Sequence, residues 1–462
     1  METMELQLKS IFRAYDIRGI YNEILTDEIA YKIGRAFATL ARENGESKIC
    51  VASDARLSSP ELRHAVIKGL TKSGCNVIHI DTLPTPLLYY ATFKTAASSG
   101  VMITGSHNPA GYNGMKLVLQ RNTLKQNDIT NLYKKVVQEA FLDGDGSVIH
   151  KDISHVYLEE IADNVRLAKS LKVVVDCGNG IAGNIVPQLF RLLGCQVVEL
   201  FCEVDGNFPN HHPDPSDPKN LQNLVETVKK EKADIGFAFD GDGDRLGVVT
   251  NRGNIIWPDR QMMLFAKSVL QENHGAKIIF DVKCSRYLPE IIEKLGGEPI
   301  MWKTGHSLIK AKLFETDAKL AGEMSGHIFF NDRWYGFDDA LYSAARLLEI
   351  LSYEKQDADA IFAQLPNSVN TPELRLNMSE QKKFEFMQKF ADTADFPEAS
   401  DVSTIDGMRV DFEDGWGLMR VSNTTPCVVL RFEAESEKAL QKIKNKFRKR
   451  IKAIDEELEI PF

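Results

Sequence analysis

The sequence lacks the features of a membrane-spanning or secreted protein. It contains no run of about 18 apolar residues, which argues against a transmembrane helix. Its first residues, METMEL, do not place a basic region before an apolar one, so no secretory signal is predicted. The seven cysteines form no Cys-x-x-Cys pair, and several lie in apolar runs, as is typical of buried thiols in a reducing compartment. We therefore expect a cytoplasmic protein.

An excess of positive charge is also missing. The formal net charge is −9, which argues against nucleic acid as the main partner. Such an acidic protein can bind an anion only if it builds local cationic loops. A hydrophobic content of 43% and a charged content of 26% are ordinary for a globular protein. The length of 462 residues is too great for one ordinary core and predicts three or four domains.

The same order of elements occurs three times along the chain. Each copy has a short apolar strand that leads into an aspartate, then a helix, and a second strand after a glycine, which predicts a parallel βαβ unit. A further helix and a third strand follow, and the third strand leads into a polar loop. We expect three similar α/β domains with mixed sheets around a central cleft. The polar loops lie at 104–109, 240–245 and 322–327.

The pattern changes after about residue 366. Apolar stretches at 405–412, 417–421 and 428–432 predict antiparallel strands, and a charged amphipathic helix is predicted over 436–455. This part is expected to form a smaller C-terminal α+β domain. At the other end of the chain, the motif FRAYDIRG is expected to precede the first regular element.

The loop TGSHNP at 104–109 follows the end of a predicted buried strand. Gly105 permits a backbone conformation that is closed to other residues, and Pro109 stiffens the loop. Ser106 is therefore expected to project its hydroxyl beyond the strand end. A serine held rigidly among cations suits a covalent phosphoryl or acyl carrier, and a plain polar turn is the alternative. The cationic side chains nearby in the sequence are His107 and Lys116.

Three aspartates alternate with glycines in the loop DGDGDR at 240–245. Carboxylates this close repel one another unless a hard cation such as Mg²⁺ neutralises them. An EF-hand is excluded, because its sixth and twelfth positions are Gly and Glu, whereas Arg245 and Asn251 stand here. A solvated acidic turn is disfavoured, since an apolar strand leads directly into the loop. The candidate metal ligands are Asp240, Asp242 and Asp244.

Two further loops carry groups suited to a phosphorylated sugar. In GEMSGH at 322–327, Glu323 beside Ser325 suits recognition of neighbouring sugar hydroxyls, although a structural role for Glu323 is equally expected. In RVSNTTP at 420–426, a guanidinium precedes short hydrogen-bonding side chains. This arrangement suits a phosphate cradle and is also ordinary turn chemistry. Possible additional cations are Lys283 and His306.

The segment GNGIAG at 178–183 matches the dinucleotide-binding fingerprint, with an acidic residue about 20 positions later. The equivalent turns at 54–56 and 281–283 are not glycine-rich, and a dinucleotide would leave the other loops unexplained. We interpret the segment as a tight structural turn, with an NAD(P)-binding oxidoreductase as the alternative of a different class. A serine nucleophile elbow is excluded because Thr104 and Asn108 stand at its glycine positions.

These motifs together resemble the α-D-phosphohexomutase family, most closely its bacterial phosphomannomutase/phosphoglucomutase branch. The matching segments run in order through the whole chain: FRAYDIRG (12–19), TGSHNP, DGDGDR, GEMSGH and RVSNTTP. The resemblance implies four domains around a deep cleft. We expect a phosphoserine domain at 1–150, a metal-binding domain at 151–253, a sugar-binding domain at 254–366 and a phosphate-binding domain at 367–462.

The resemblance also implies a role for each motif residue. Ser106 would be the phosphoserine, and an oxygen of its phosphate would join Asp240, Asp242 and Asp244 around Mg²⁺. The other catalytic positions would be Arg18, His107, Lys116, Arg245 and His306, of which Arg18, Lys116 and His306 are candidates for proton transfer or charge stabilisation. The substrate-binding positions would be Tyr15, Lys283, Glu323, Ser325, His327, Arg420, Ser422, Asn423 and Thr424.

The implied reaction interconverts the 1- and 6-phosphates of mannose or glucose through phosphorylated Ser106 and a hexose 1,6-bisphosphate. Glucose 1,6-bisphosphate would then act as an activator. Met324 resembles the mannose/glucose branch, whereas phosphoglucosamine mutases, the alternative within the family, typically carry Gln there. The expected partners are small sugar phosphates, without nucleic acid or membrane, and the chain is expected to be a monomer.

Overall fold

The computed structural model describes residues 2–422 and 425–462. The chain divides into two compact units, each made of two segments. The first unit contains the residues up to Pro258 together with Ser325–Phe362, and the second contains Asp259–Met324 together with Ala363–Phe462. Among the described residues, no helix is long and apolar enough to cross a membrane.

Residues 2–164 contain the first sheet and its helices. The elements are α1 Glu2–Ile11, β1 Ile17–Ile20, α2 Asp27–Glu43, β2 Lys48–Ser53, α3 Ser59–Lys72, β3 Asn76–Thr82, α4 Thr85–Lys94, β4 Ser99–Ile103, β5 Tyr112–Leu119, β6 Asn122–Thr123, α5 Gln126–Gln138, β7 Val148–His150 and α6 Ser154–Asn164. The strand order is β1-β5-β4-β2-β3-β7, with β6 beside β5. The sheet is mixed, because β4 and β1 pair antiparallel to β5 whereas β2, β3, β4 and β7 are parallel.

The sequence explains why α2 forms and packs on the first sheet. In α2, Thr26 caps the first turn by accepting a hydrogen bond from the backbone N–H of Ile29, and Asp27 and Glu28 favour the positive end of the helix. The apolar face of α2 packs into the core that covers the sheet. The presence of α1 corrects one expectation: α1 precedes the FRAYDIRG segment, and β1 begins within it. An antiparallel partner, β5, stabilises this short strand.

Residues 172–256 form the second sheet of the first unit. Its elements are β8 Lys172–Asp176, a 3₁₀ turn at Ile181–Asn184, α7 Val186–Leu192, β9 Gln196–Leu200, a 3₁₀ turn at Pro218–Leu221, α8 Gln222–Glu231, β10 Ile235–Phe239, β11 Leu246–Thr250 and β12 Ile255–Ile256. The order is β12-β11-β10-β8-β9. The β8, β9 and β10 strands are parallel, and β11 runs back antiparallel to β10. The loop 240–245 therefore lies at the turn between β10 and β11, as expected.

The third βαβ copy lies in the second unit. Its elements are α9 Pro258–Glu272, β13 Lys277–Asp281, α10 Tyr287–Lys294, β14 Glu298–Trp302, α11 His306–Thr316 and β15 Leu320–Gly322. The three strands are parallel, with β13 between β14 and β15. The chain then returns to the first unit with β16 Ile328–Phe330, α12 Ala340–Tyr353 and α13 Ala358–Ala363.

The C-terminal part of the second unit is an antiparallel sheet with two helices. The elements are β17 Val369–Asn370, β18 Leu374–Asn377, α14 Glu380–Thr393, β19 Asp401–Ser403, β20 Met408–Phe412, β21 Gly415–Val421, β22 Cys427–Ala434 and α15 Glu437–Ile454. The order is β17-β22-β21-β20-β19, with β18 beside β22. Phe447 of α15 lies so close to Gly417 that a Cβ there would be 2.5 Å from its ring. The predicted α+β part is confirmed.

Candidate active site

Ser106 lies on a buried loop whose shape is fixed by hydrogen bonds. The residue is 2% exposed, and its backbone is left-handed with φ of 49°. Its N–H donates to Thr104 Oγ1 at 2.8 Å, and Thr104 Oγ1 in turn donates to Asp54 Oδ2 at 2.8 Å. The hydroxyl of Ser106 donates to Asp240 Oδ2 at 3.1 Å and lies 3.2 Å from His107 Nδ1. A left-handed serine is strained, so the surrounding contacts hold a nucleophile in place.

Arg56 also fixes the shape of this loop, and sequence reasoning missed it. Its guanidinium donates to the carbonyl oxygens of Ser106 at 2.7 Å and Asn108 at 2.6 Å. It also donates to the carbonyls of Pro109 at 2.6 Å and Tyr112 at 2.9 Å. The side chain is fully buried beside Asp54, which compensates its charge. Arg56 lies two positions after Asp54, the aspartate that follows the first strand of the first repeat, and that position was the one available signal.

Arg56 also changes the interpretation of Gly105. The expectation was that Gly105 supplies the special backbone conformation, but the left-handed residue is Ser106 and Gly105 does not have a positive φ. A Cβ on Gly105 would overlap the Arg56 guanidinium and lie 2.8 Å from the carbonyl oxygen of Tyr112. Glycine is needed here because arginine passes close to the backbone.

The three predicted carboxylates converge beside Ser106. Asp240, Asp242 and Asp244 are completely buried, and one ligand oxygen from each lies within 4.8 Å of the others. Asp240 also orders its own loop, because Oδ1 accepts from the backbone N–H groups of Asp244 at 3.0 Å and Arg245 at 3.1 Å. Thr85 donates to Asp242 Oδ2 at 2.5 Å.

Lys116 is the cation closest to these carboxylates. Its ammonium group is buried and donates to Asp242 Oδ2 at 2.7 Å and to Asp244 Oδ2. Burial opposes the charged form, but Asp242 and Asp244 outweigh it and hold the pKa of Lys116 well above its usual range. Burial and the neighbouring carboxylates raise the pKa of Asp240, whereas Lys116 lowers that of Asp242 against the effect of burial.

The carboxylate group fits a hard divalent cation. Asp242 Oδ1 and Asp244 Oδ1 are buried and accept no hydrogen bond from any described residue. Buried carboxylate oxygens are costly unless a donor or a metal satisfies them. Oxygen ligands at short spacing on one loop are what Mg²⁺ prefers, and three of them leave positions for oxygens from elsewhere.

Several other predicted residues lie around this group in the first unit. Arg18 donates to Asn108 Oδ1 at 2.5 Å and to Asp16 at 2.7 Å. Arg245 Nε donates to His327 Nε2 at 3.1 Å, and the other ring nitrogen of that histidine is 3.1 Å from Asp338. Tyr15 is close enough to Arg245 to favour its charged form. Tyr15 and Ser325 are half-buried.

His107 is neutral in this environment. Burial is the main cause, and the positive charges of Arg245 and Arg18 add to it, so the pKa of His107 is well below its usual range. The Ser106 hydroxyl therefore lies beside an imidazole whose charged form is disfavoured.

The second unit contains the remaining predicted positions. Glu323 is 1% exposed and accepts a hydrogen bond of 2.5 Å from the N–H of Gly305, directly before His306 at the start of α11. Lys283 is buried and donates to Glu373 at 2.7 Å. Lys283 lowers the pKa of Glu373 to about 2. The structural part of the expectation for Glu323 is confirmed, since its carboxylate fixes a helix start.

The predicted phosphate cradle is only partly described. Arg420 is buried, and its Nε donates to Asp406 Oδ2 at 2.8 Å. Its Nη2 is buried and finds no partner among the described residues. Ser422 accepts from the N–H of Thr425 at 3.1 Å, and Lys383 donates to the Ser422 carbonyl at 2.9 Å. Asn423 and Thr424 lie outside the described residues. No sequence signal pointed to Asp406 or Lys383, because both come from distant parts of the chain.

Protein atoms fill the space beside the glycine-rich segment 178–183. A Cβ on Gly180 would lie 3.0 Å from Gly241, and the N–H of Ile181 donates to the Gly241 carbonyl at 3.2 Å. A Cβ on Gly178 would meet His211 at 3.0 Å. The glycines allow close packing behind the carboxylate loop, which favours the structural interpretation over dinucleotide binding.

Comparison with known families agrees with this arrangement. Four models match in order: phosphoglucomutase/phosphomannomutase alpha/beta/alpha domains I at 9–143, II at 155–253 and III at 257–369, and the C-terminal domain at 373–450. The chain belongs to the phosphoglucomutase/phosphomannomutase family. It is therefore a four-domain phosphohexomutase, an enzyme that transfers phosphate within a sugar.

Similar members of this family cover almost the whole chain. A phosphomannomutase/phosphoglucomutase of Pseudomonas aeruginosa is 54% identical over 453 residues, 98% of each chain. A phosphoglucomutase of Neisseria gonorrhoeae is 52% identical over 443 residues, 95% of this chain and 96% of that one. A solved structure of a phosphoglucomutase/phosphomannomutase family protein from Burkholderia thailandensis has a TM-score of 0.94 at 51% identity, covering 98% of this chain and 99% of the other.

Proposed function

We propose that this phosphohexomutase interconverts the 1- and 6-phosphates of mannose and glucose through a phosphoryl group carried on Ser106. The observation that carries this proposal is the 3.1 Å hydrogen bond from the Ser106 hydroxyl to Asp240, on a loop that Arg56 fixes in a left-handed conformation. The nucleophile is thus directed at the carboxylate group, where a cation and the transferring phosphoryl group would meet.

The carboxylate group would hold Mg²⁺ through Asp240, Asp242 and Asp244, with an oxygen of phosphorylated Ser106 as a further ligand. When bound, Mg²⁺ neutralises charge on a transferring phosphoryl group and orients it. The two buried carboxylate oxygens, Oδ1 of Asp242 and of Asp244, support this assignment, because neither finds a hydrogen-bonding partner in the described part of the chain. Lys116, Arg18 and Arg245 supply additional positive charge to the same region.

Proton transfer would fall to residues near the reacting hydroxyls. Arg18, Lys116 and His306 remain the candidates for this role or for charge stabilisation. The pKa of His107 is low, and its Nδ1 lies 3.2 Å from the Ser106 hydroxyl. Its ring can therefore form a hydrogen bond with the Ser106 hydroxyl without adding positive charge.

The second unit would bind the sugar and its non-transferred phosphate. Glu323 and Ser325, which stand on either side of Met324, would contact sugar hydroxyls. The buried Arg420, whose Nη2 has no partner among residues 2–422 and 425–462, supports a phosphate site at its loop. The full set proposed for substrate binding is Tyr15, Lys283, Glu323, Ser325, His327, Arg420, Ser422, Asn423 and Thr424.

The reaction would proceed in two transfers. Phosphorylated Ser106 gives its phosphoryl group to the free hydroxyl of the hexose phosphate, and the resulting 1,6-bisphosphate returns the phosphate from its other end to Ser106. Glucose 1,6-bisphosphate would prime the unphosphorylated enzyme. We further propose that the chain works as a cytoplasmic monomer with domain boundaries near 150, 253 and 366.

The relatives' names support mannose and glucose as the sugars, and Met324 agrees with that branch. The test is a mutase assay with the 1-phosphates of mannose, glucose and glucosamine, in Mg²⁺ with a trace of glucose 1,6-bisphosphate. We expect turnover of the first two and little of the third. A Ser106→Ala variant should lose turnover and still bind sugar phosphate. Preference for glucosamine 1-phosphate would contradict the sugar assignment, and an active Ser106→Ala variant would contradict the phosphoserine.

A further inference from the structure

A second group of metal-ligating side chains lies at the opposite edge of the first sheet from β1. The β3 and β7 strands are parallel there, and His79 is the direct partner of His150. The two rings meet at a centroid distance of 4.6 Å, with their Nδ1 atoms 3.1 Å apart. None of the site residues described above belongs to this edge.

Asp81 completes the group. It is a non-glycine residue with φ of 66°, in the left-handed region, two positions after His79. Its Oδ1 lies 3.6 Å from His79 Nε2. One ligand atom from each of His79, Asp81 and His150 lies within 4.8 Å of the others. Two ligands of a tetrahedral ion at about 2.05 Å are about 3.3 Å apart, so the 3.6 Å between His79 Nε2 and Asp81 Oδ1 is close to the spacing of two ligands of one ion.

The burial of His79 points to a ligand. The residue is 7% exposed, and its Nε2 is buried without a hydrogen-bonding partner among the described residues. Burial, followed by the charge of Arg63, lowers the pKa of His79, and a neutral imidazole is the form that binds a metal. His150 and Asp81 are exposed, so an ion can enter from solvent.

We propose that His79, His150 and Asp81 form a second metal site that takes a borderline transition ion such as Zn²⁺. Two imidazoles and one carboxylate suit Zn²⁺ better than Mg²⁺, and three protein ligands leave a position for water. The site would tie β7, whose three residues are all exposed, to the rest of the sheet. The nearby Arg63 opposes a bound cation, so moderate affinity is expected.

The test uses the full-length protein without an oligohistidine tag, titrated with Zn²⁺ against a chromophoric chelator in excess Mg²⁺. Excess Mg²⁺ would occupy the carboxylate loop proposed above to bind it, and all seven cysteines are buried, which limits competing sites. We expect one Zn²⁺ per chain. His150→Gln and Asp81→Asn should each weaken binding by about tenfold or more. His155→Gln, which removes an exposed histidine on α6, should leave it unchanged.

The bound ion should also raise the thermal unfolding midpoint of the wild type and of His155→Gln, but not of His150→Gln. Mutase activity in Mg²⁺ should be the same in wild type and His150→Gln, which shows that the variant folds. Zn²⁺ binding that is absent in excess Mg²⁺, or equally tight in His150→Gln and Asp81→Asn, would overturn the proposal and leave the ring contact as an ordinary hydrogen bond between two histidines.

Discussion

Arg56 donates a hydrogen bond of 2.7 Å to the carbonyl oxygen of Ser106, so a buried guanidinium determines where the nucleophile lies. A lysine at this position could not reach the same set of carbonyls, because it lacks the planar fork of donors. We expect Arg56→Lys to lower kcat by about tenfold to a hundredfold through misplacement of Ser106. The measurement is steady-state kinetics with glucose 1-phosphate.

The matched control for this variant is Arg35→Lys, which changes an arginine that pairs with the exposed Asp143. Its kinetics should stay close to wild type. If Arg56→Lys folds and keeps full kcat, the Ser106 loop holds its position without the guanidinium, and the assigned role of Arg56 is wrong.

Local patterns in the sequence predicted much of the fold but not the contacts that support the site. The strands around DGDGDR were predictable because apolar runs and a charged loop stand next to each other, and β11 at Leu246–Thr250 is confirmed. The helix α1 was missed. Arg56 and Asp406 act on residues 50 and 14 positions away in the chain, and a single sequence gives no sign of such pairs. The expected role of Gly105 was wrong for the same reason, because nothing in the sequence indicated that the Arg56 guanidinium lies beside it.

Lys116 and a bound Mg²⁺ would be attracted to the same two carboxylate groups, those of Asp242 and Asp244. Removing the ammonium group in Lys116→Met leaves buried carboxylates uncompensated, which costs about 3–5 kcal/mol in comparable buried pairs. We expect this variant to lose most activity, to unfold at lower temperature without Mg²⁺, and to gain more stability from Mg²⁺ than wild type does. Thermal unfolding at a series of Mg²⁺ concentrations measures both effects on stability, and the mutase assay measures the loss of activity.

For comparison, Lys134→Met removes an exposed lysine from α5 and should respond to Mg²⁺ as wild type does. An equal Mg²⁺ effect in Lys116→Met and wild type would mean that lysine and metal do not share these ligands.

Asp406 orients Arg420 in the second unit, and it also accepts a hydrogen bond of 3.0 Å from the N–H of Thr304. Asp406→Asn removes the charge that holds the guanidinium. If Arg420 binds the non-transferred phosphate, KM for hexose phosphate should rise by about tenfold with a smaller change in kcat. Asp401→Asn, at an exposed position on β19, is the control and should change neither constant. An unchanged KM in Asp406→Asn would argue against a phosphate site at Arg420.

His211 gives a prediction for the dependence of stability on pH. Burial disfavours its charged ring, but a hydrogen bond of 3.0 Å and the charge of buried Asp176 outweigh burial, so the pKa of His211 is raised. The pKa is then higher in the folded than in the unfolded chain. The stabilisation is fully present below the unfolded pKa of about 6.5 and is lost as pH rises through the folded pKa.

Thermal unfolding of wild type and His211→Gln at about pH 5.5 and about pH 8.5 tests this sign. We expect the variant to be less stable than wild type at the lower pH and the difference to shrink at the higher pH. A difference that grows with pH would show that His211 is not charged against Asp176 in the folded protein.

The central claim is that Ser106 carries the transferred phosphoryl group. The most direct measurement is peptide mass spectrometry of the protein after incubation with glucose 1,6-bisphosphate and Mg²⁺, before and after addition of excess mannose 1-phosphate. We predict one phosphoryl group on the peptide that contains Ser106, a smaller phosphorylated fraction after the sugar phosphate is added, and no phosphorylated peptide in Ser106→Ala. A phosphoryl group on another residue, or full turnover with no phosphorylated peptide, would contradict the account.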